Sequence, residues 1–389
     1  VTNTPFQDIA IVAGYNSQQA KHLEGQDDLS LLTDVIQNLL SQSQLTADDI
    51  DGININSAVW NLKPREALSM LGGQERWCGN EFMGIAAVIE AAGAIATGQA
   101  DTIMIACAQA GEYSHTGATA PWTRPSHEFS ECFGLYTAAE FALCAQRHMA
   151  IYGTQASALA EVAATIRCNG HYHPQAQFYG KGLVTPEQVL ASRMVCSPFH
   201  LLDCCITSEG AGGLIITTAE RARDMDAKAV FIVGAGTDRQ GMSYTRAPVW
   251  DQCGDVGQRA ARRAFEQAGL KPTDIDVCEF YDPFSFEIIR QFEAFGFCKP
   301  GEGGDFIANG RIAIDGEFPV ATNGGLLSFS HAGTLQMLQK VIVAYEQLSG
   351  KMPTSLQVKN PTTAMATNGG SGALFCDVML LANQATANK

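Results

Sequence analysis

Several short patterns in this 389-residue chain have spacings that suggest chemistry. His171-Tyr-His173 has the HxH spacing of metal sites, but no nearby Glu, Asp or Cys completes a ligand set, so a loop is the favoured reading. Gly301-Glu-Gly-Gly304 matches neither the Walker A pattern nor the dinucleotide fingerprint, which argues against a phosphate cradle. The 12 cysteines are scattered through apolar segments with no CxxC pair, which reads as reduced buried thiols; a bridge between the adjacent Cys204 and Cys205 would be strained. Three motifs remain: Glu279-Phe-Tyr-Asp-Pro-Phe284, Asn323-Gly-Gly-Leu-Leu-Ser-Phe-Ser-His331 and Asn368-Gly-Gly-Ser-Gly372. Gly324, Gly325, Gly369, Gly370 and Gly372 let backbone approach a ligand and present N–H groups, although tight turns and close packing explain such glycines equally well.

The elements that must position these motifs follow from an internal echo. Leu45-Thr-Ala-Asp-Asp-Ile-Asp51 returns as Leu270-Lys-Pro-Thr-Asp-Ile-Asp276. Each copy follows an amphipathic helical pattern, Ser30 to Gln44 and Asp255 to Gly269, and precedes an apolar strand. An opening strand also repeats, Ile9 to Gly14 and Val230 to Gly236. Two α/β halves are therefore expected, each a sheet with helices on its faces. The Ala-rich segment Gly84 to Gly98 predicts a helix buried on most sides, followed by a strand from Thr102 to Ala108. Gly212 to Thr217 closes the first half. The stretch between, about 111 to 209, has no counterpart in the second half; it holds Pro121, Pro125, Pro174 and Pro198 and six of the eight histidines. It reads as an insertion covering the site, with helical patterns at Tyr136 to Tyr152 and Ala156 to Cys168. The expected division is 1–110 with 207–226 as the first half, 111–206 as a loop domain, and 227–389 as the second half.

Composition excludes some partners. With 25 Lys+Arg against 40 Asp+Glu, a net charge of −15, and no basic run, nucleic acid and anionic membranes are poor candidates. No apolar run reaches transmembrane length and Val1 to Asp8 lacks the layout of a signal peptide, so a cytoplasmic location is expected.

Taken in order, the helix Gly84-Ile-Ala-Ala-Val-Ile-Glu-Ala-Ala-Gly-Ala-Ile-Ala-Thr-Gly-Gln-Ala-Asp101 and the three motifs resemble the thiolase superfamily over nearly the whole chain. They look like the branch related to sterol-carrier-protein thiolases and to thiolase-like aldolases of steroid side-chain degradation. Ile151-Tyr-Gly-Thr154, Ser192-Arg193, Leu202-Asp-Cys-Cys205 and Ser208-Glu-Gly-Ala211 in the insertion look like the same branch. The resemblance implies a duplicated five-layered α/β/α/β/α fold with an inserted loop domain, usually a homodimer. It also implies a small OB-fold, zinc-ribbon partner that helps hold acyl-CoA, giving a heterotetramer. Coenzyme A enters as part of the substrate, with no permanently bound cofactor and no metal in this chain.

The chemistry departs from thiolase at two positions. The register Gly84, Gly98, Asp101 puts Glu81 where a thiolase has its nucleophilic cysteine, and Ala366 aligns with the second cysteine. Without sulfur a Claisen reaction through an acyl-enzyme has no nucleophile, whereas a retro-aldol step needs only a base for the β-hydroxyl and a hole for the enolate oxygen. His331 aligns with the histidine that polarises the thioester carbonyl. Tyr281 replaces the asparagine of the thiolase Asn-Glu-Ala-Phe motif and would shuttle a proton or donate to an oxyanion. Glu81, expected at a helix N-terminus in an apolar cavity, would be either the base or an N-terminal cap. The amides of Glu81 and Asn368, with Gly369 and Gly370, would form a second oxyanion hole; Asp282, Asn323, Gly324 and Gly325 would support the site. The expected function is cleavage or formation of the Cα–Cβ bond of a β-hydroxyacyl-CoA, with a bulky or steroid side chain on the β carbon. The alternatives are a non-catalytic subunit of a heteromeric complex, and acyl transfer through an unaligned thiol such as Cys78 or Cys107.

Overall fold

A computed structural model describes Phe6, Asp8 and Gly72 together with residues 9–57, 77–110, 137–225, 228–241 and 254–384. The first half contains β1 (Ile9–Asn16), α1 (Asp28–Ser43), β2 (Gly52–Ser57), β3 (Trp77–Cys78), α2 (Gly84–Ala96) and β4 (Thr102–Gln109). The inserted region follows as α3 (Thr137–Tyr152), α4 (Ala156–Tyr172), α5 (Pro186–Ala191), β5 (Met194–Cys196) and β6 (Phe199–His200). The chain then re-enters the first half through β7 (Gly210–Thr218) and α6 (Ala219–Asp224). The second half has β8 (Val230–Arg239), α7 (Gln258–Ala268), β9 (Val277–Glu279), α8 (Phe286–Ala294), α9 (Gly303–Phe306), α10 (Leu335–Ser349), β10 (Thr363–Gly370) and β11 (Phe375–Ala382).

The echoed sequence does the same work twice. At the turn before β2, Thr46 N–H donates to Asp49 Oδ2 at 2.8 Å, and at the turn before β9, Lys271 N–H donates to Asp274 Oδ2 at 2.7 Å. The aspartate two residues later then latches the neighbouring parallel strand: Asp51 accepts from the amides of Asp101 and Thr102, and Asp276 from those of Thr362 and Thr363. The strand pattern repeats accordingly. β1 is antiparallel to β7, β7 to β4, and β4 parallel to β2; β8 is antiparallel to β11, β11 to β10, and β10 parallel to β9. The order β3-β2-β4-β7-β1-β8-β11-β10-β9 forms one mixed sheet in which, among the described residues, the strands of the two halves pair through Ala10↔Phe231 and Ile11↔Val230.

Layering follows from which faces are apolar. α1, held by an Asp27–Ser30 capping box, lays Leu31, Leu32, Val35, Ile36 and Leu39 on β7, β1 and β4, and α7 packs on β8 and β11. α2 and α10 pack against each other and touch strands of both halves, which makes helix, sheet, helix, sheet, helix the order of layers. Strands β4, β7 and β11, buried along their length, carry long apolar runs, and β10 is buried throughout with Thr, Asn and Gly among its residues. The α/β thiolase-type arrangement expected from the sequence is the one observed.

Gly84 sits where the two inner helices cross: a methyl there would fall on the backbone of Met337 and Leu338. Gly84→Ala is expected to push the helices apart and destabilise the chain by about 1–3 kcal/mol, read as a lower urea midpoint with an unchanged slope.

In the described part of the inserted region, α4 packs on the segment 325–329 and on α8, bringing the insertion onto the second half. Residues 111–136, with Pro121 and Pro125, lie outside the described residues. No helix among the described residues is long and apolar enough to cross a membrane.

Candidate active site

Two loops ahead of the inner helices, and the ends of β9 and β10, carry the residues singled out by sequence. The first loop leads from β3 into α2. Asn54, buried on β2, donates through Nδ2 to the Glu81 carbonyl at 2.7 Å. Glu90, from the second turn of α2, reaches back: its Oε2 accepts the Glu81 N–H at 2.9 Å and the Asn80 N–H at 3.1 Å. The Glu81 side chain folds over its own helix start, where Oε1 accepts the amides of Phe82 and Met83, each at 2.9 Å. These bonds fold the loop just ahead of the helix; the residue at the N-cap itself is Met83, so Glu81 satisfies none of the helical amides that a capping side chain would take.

Two expectations change here. Glu81 is not in an apolar cavity: Glu90 and Asn54 bond its backbone, and its charge acts on the Arg239–Asp377 ion pair. Its amide is not an open donor in this structure, because a carboxylate oxygen, Glu90 Oε2, takes its hydrogen. Sequence reasoning missed this because Glu90 lies nine residues away, where a charge on a buried-looking helix reads as surface.

The second loop is built from β9 outward. The Tyr281 backbone is fixed on both sides, its N–H donating to Thr367 Oγ1 at 2.9 Å and its carbonyl accepting from Gln291 Nε2 at 2.7 Å. Tyr281 is buried, 7% exposed. Asp282, fully buried, accepts the Leu326 N–H at 2.9 Å and pairs with Lys340 Nζ at 2.6 Å. Asn323 Oδ1 accepts the Gly325 N–H at 2.9 Å. Gly324 takes φ 105, a conformation that favours glycine, and a side chain at Gly325 would collide with the Asp282 carboxylate. Asp282, Asn323, Gly324 and Gly325 are therefore one bonded unit that shapes the turn before His331. Lys340 is the member sequence reasoning overlooked; a lysine inside the apolar run of α10 was the signal for it.

His331 closes this loop. Its N–H donates to Ser208 Oγ at 3.0 Å, and Ser208 Oγ in turn donates to Gln177 Oε1 at 2.6 Å, so the Ser-Glu-Gly-Ala segment of the insertion holds the histidine in place. The ring Nδ1 is buried with no hydrogen-bond partner. Burial pushes the imidazole pKa down to about 4, which the Ile206 carbonyl only partly offsets, so the ring is neutral at physiological pH.

The third motif ends β10. Asn368 is buried, and its Oδ1 accepts the Asp377 N–H at 2.8 Å. Arg239 pairs with Asp377, which links the neighbourhoods of Asn368 and Glu81. Gly369, at φ 68, lies against the Phe375 carbonyl, and Gly370 against Glu287 and Phe141, so close packing accounts for both. Ala366 is buried in the core between Glu279 and Met379 of the neighbouring strands.

The remaining candidates find ordinary places. His171 Nδ1 accepts the Gly182 N–H at 3.0 Å, and His173 Nδ1 the Gln175 N–H at 3.3 Å while its ring packs edge-on to Phe329. No group of three or more His, Cys, Asp or Glu converges among the described residues. No disulfide joins the described cysteines, Cys204 and Cys205 included. Cys107 is buried in β4 beside Thr334, and burial pushes its thiol up to about 12, far from a reactive thiolate.

With this geometry in hand, comparison with known proteins is informative. Residues 240–383 match the family model described as thiolase C-terminal domain-like. The chain is similar to a steroid side-chain-cleaving aldolase of Thermomonospora curvata, 29% identical over 96% of this chain and 98% of the relative. It is 31% identical to a 17-hydroxy-3-oxo-4-pregnene-20-carboxyl-CoA lyase of Mycobacterium tuberculosis over 82% of this chain and 86% of the relative. Among solved structures it is similar to that described as an Ltp2-ChsH2(DUF35) aldolase, with a TM-score of 0.85 and 26% identity over 98% of this chain and 100% of that one.

Proposed function

This chain belongs to the thiolase-like branch that holds the steroid side-chain-cleaving aldolases and is a carbon–carbon lyase acting on acyl-CoA, and from that premise we propose its substrate and the roles of its residues. The substrate is a β-hydroxyacyl-CoA whose β carbon is a tertiary carbinol on a bulky, steroid-like skeleton. The thioester carbonyl faces His331 and the β-hydroxyl faces Tyr281. Tyr281 relays the hydroxyl proton as the Cα–Cβ bond breaks, the bond pair moves into the thioester as an enolate, and a ketone leaves. The one N–H of the neutral His331 ring donates a hydrogen bond to the enolate oxygen as its charge develops, the other ring nitrogen being an acceptor only, and Cα is then protonated to give the shorter acyl-CoA. No covalent intermediate is required, in keeping with Glu81 and Ala366 at the two cysteine positions.

The observation that carries this reading is the buried, partnerless Nδ1 of a neutral His331. Buried polar atoms are nearly always satisfied, and one left open beside a glycine turn fits a missing ligand atom. We further propose a homodimer joined in the cytoplasm to a small OB-fold, zinc-ribbon partner; the DUF35 component of the similar solved aldolase supports the partner.

The test is to supply a β-hydroxyacyl-CoA bearing a tertiary carbinol, with and without the partner protein, and to follow the ketone. His331→Ala is expected to lower kcat/KM roughly 100- to 1,000-fold. Since His331 protonates only near pH 4, it sets no acidic limb between about pH 5 and 8; a limb near 6.5 that vanishes in His331→Ala would show a solvated ring and overturn the buried, neutral histidine assigned here.

A further inference from the structure

The loop before α2 carries a second barrier to acyl-enzyme chemistry besides the absence of sulfur. An acyl group tethered at position 81 would pass through a tetrahedral oxyanion, and the amide of the tethering residue is the donor placed to meet it. In this chain that amide points into a carboxylate: Glu90 Oε2 accepts the Glu81 N–H at 2.9 Å and the Asn80 N–H at 3.1 Å. Asn54 Nδ2 bonds the Glu81 carbonyl at 2.7 Å and approaches Glu90 Oε2 at 3.3 Å, so both backbone polar groups of Glu81 are clamped. Asn54 is buried and further fixed by Asn56, whose Nδ2 donates to its Oδ1 at 3.1 Å.

We propose that Glu90 is a specificity-determining positioning residue: by filling the Glu81 amide with a negative oxygen, it closes that position to an oxyanion and confines the site to chemistry without a covalent intermediate. A second negative oxygen at the same N–H would lose its donor and meet a like charge, whereas an enolate held at His331 meets neither. The proposal rests on the reading that the site handles a thioester, but makes a separate claim about reaction type.

The test installs the missing nucleophile. In Glu81→Cys, in the full-length chain with its partner protein if one is required, the introduced thiolate would attack the carbonyl of acetyl-CoA. The carbon–sulfur bond to coenzyme A would break, and coenzyme A would leave as the thiol, taking up the proton released by the cysteine. Intact-mass spectrometry reads the acetylated protein with time. Glu81→Cys alone is expected to acetylate no faster than unaltered protein. Combined with Glu90→Ala it should acetylate at least roughly 100-fold faster, and with Glu90→Gln, which removes the charge but keeps an acceptor, about 10-fold faster. Thermal melting checks that each variant folds, and the Gln variant serves if the Ala variant does not. Acetylation of Glu81→Cys alone at the rate of the double variants overturns the proposal, as does a double variant no faster than the single one. Ketone release by unaltered protein reads the proposed function independently, so failure of one leaves the other measurable.

Discussion

Replacing Tyr281 with phenylalanine is expected to lower kcat roughly 100- to 10,000-fold with little change in KM or in melting temperature. The two halves of this expectation have different sources. Activity falls because the phenol is the group assigned to carry the β-hydroxyl proton. The fold persists because the backbone anchors of this residue, Thr367 Oγ1 on its N–H and Gln291 Nε2 on its carbonyl, do not involve the hydroxyl. A packed ring of nearly the same volume stays in a site that is 7% exposed. Steady-state kinetics with a tertiary β-hydroxyacyl-CoA, paired with a melting curve, measures both. Turnover equal to that of unaltered protein would remove the phenol from the mechanism and leave His331 to be explained alone.

The largest expected loss of stability comes from Lys340→Met. Lys340 is 3% exposed at its side chain and its partner Asp282 is fully buried, so removing the ammonium leaves that carboxylate in the protein interior held by backbone amides, and also withdraws a positive charge from buried Glu279. Breaking such a pair on one side costs about 3–5 kcal/mol. Because Asp282 also accepts the Leu326 N–H, the turn that carries His331 should loosen and activity should fall with stability. The pH sign is fixed by the orphaned acid: its folded-state pKa rises further, so the deficit relative to unaltered protein is full at neutral pH and shrinks as acid protonates Asp282. Adding Asp282→Asn should restore at least half of the loss, as the amide keeps an oxygen for Leu326 without the charge. Urea denaturation across pH, with the double variant, checks the magnitude, the sign and the partner at once.

How much of this was visible in the chain can be judged residue by residue. The repeated Asp-Ile-Asp was legible because its first aspartate acts locally, capping a turn three residues back, while the bonds of the second, to a strand start far along the chain, recur in the same order in both halves. The inner helix was legible from its alanines. Glu81 was placed by register, but what surrounds it was not, since Glu90 and Asn54 come from a helix and a strand whose side chains carry no pattern of their own. The Asp282–Lys340 pair joins residues 58 apart, and nothing in local spacing announces such a bond. The glycines illustrate a third case: their presence was plain, but whether they admit a ligand or a neighbouring backbone depended on what the fold put opposite them, and for Gly325, Gly369 and Gly370 it put protein.

The ladder between Ala10–Ile11 and Val230–Phe231 is so short that the union of the halves falls to their inner helices. Neither half alone would keep its inner helix covered, because α2 and α10 shield each other from water. A change in bulk on either central helix must therefore be answered on the other, as the seat of Gly84 on Met337 and Leu338 makes plain.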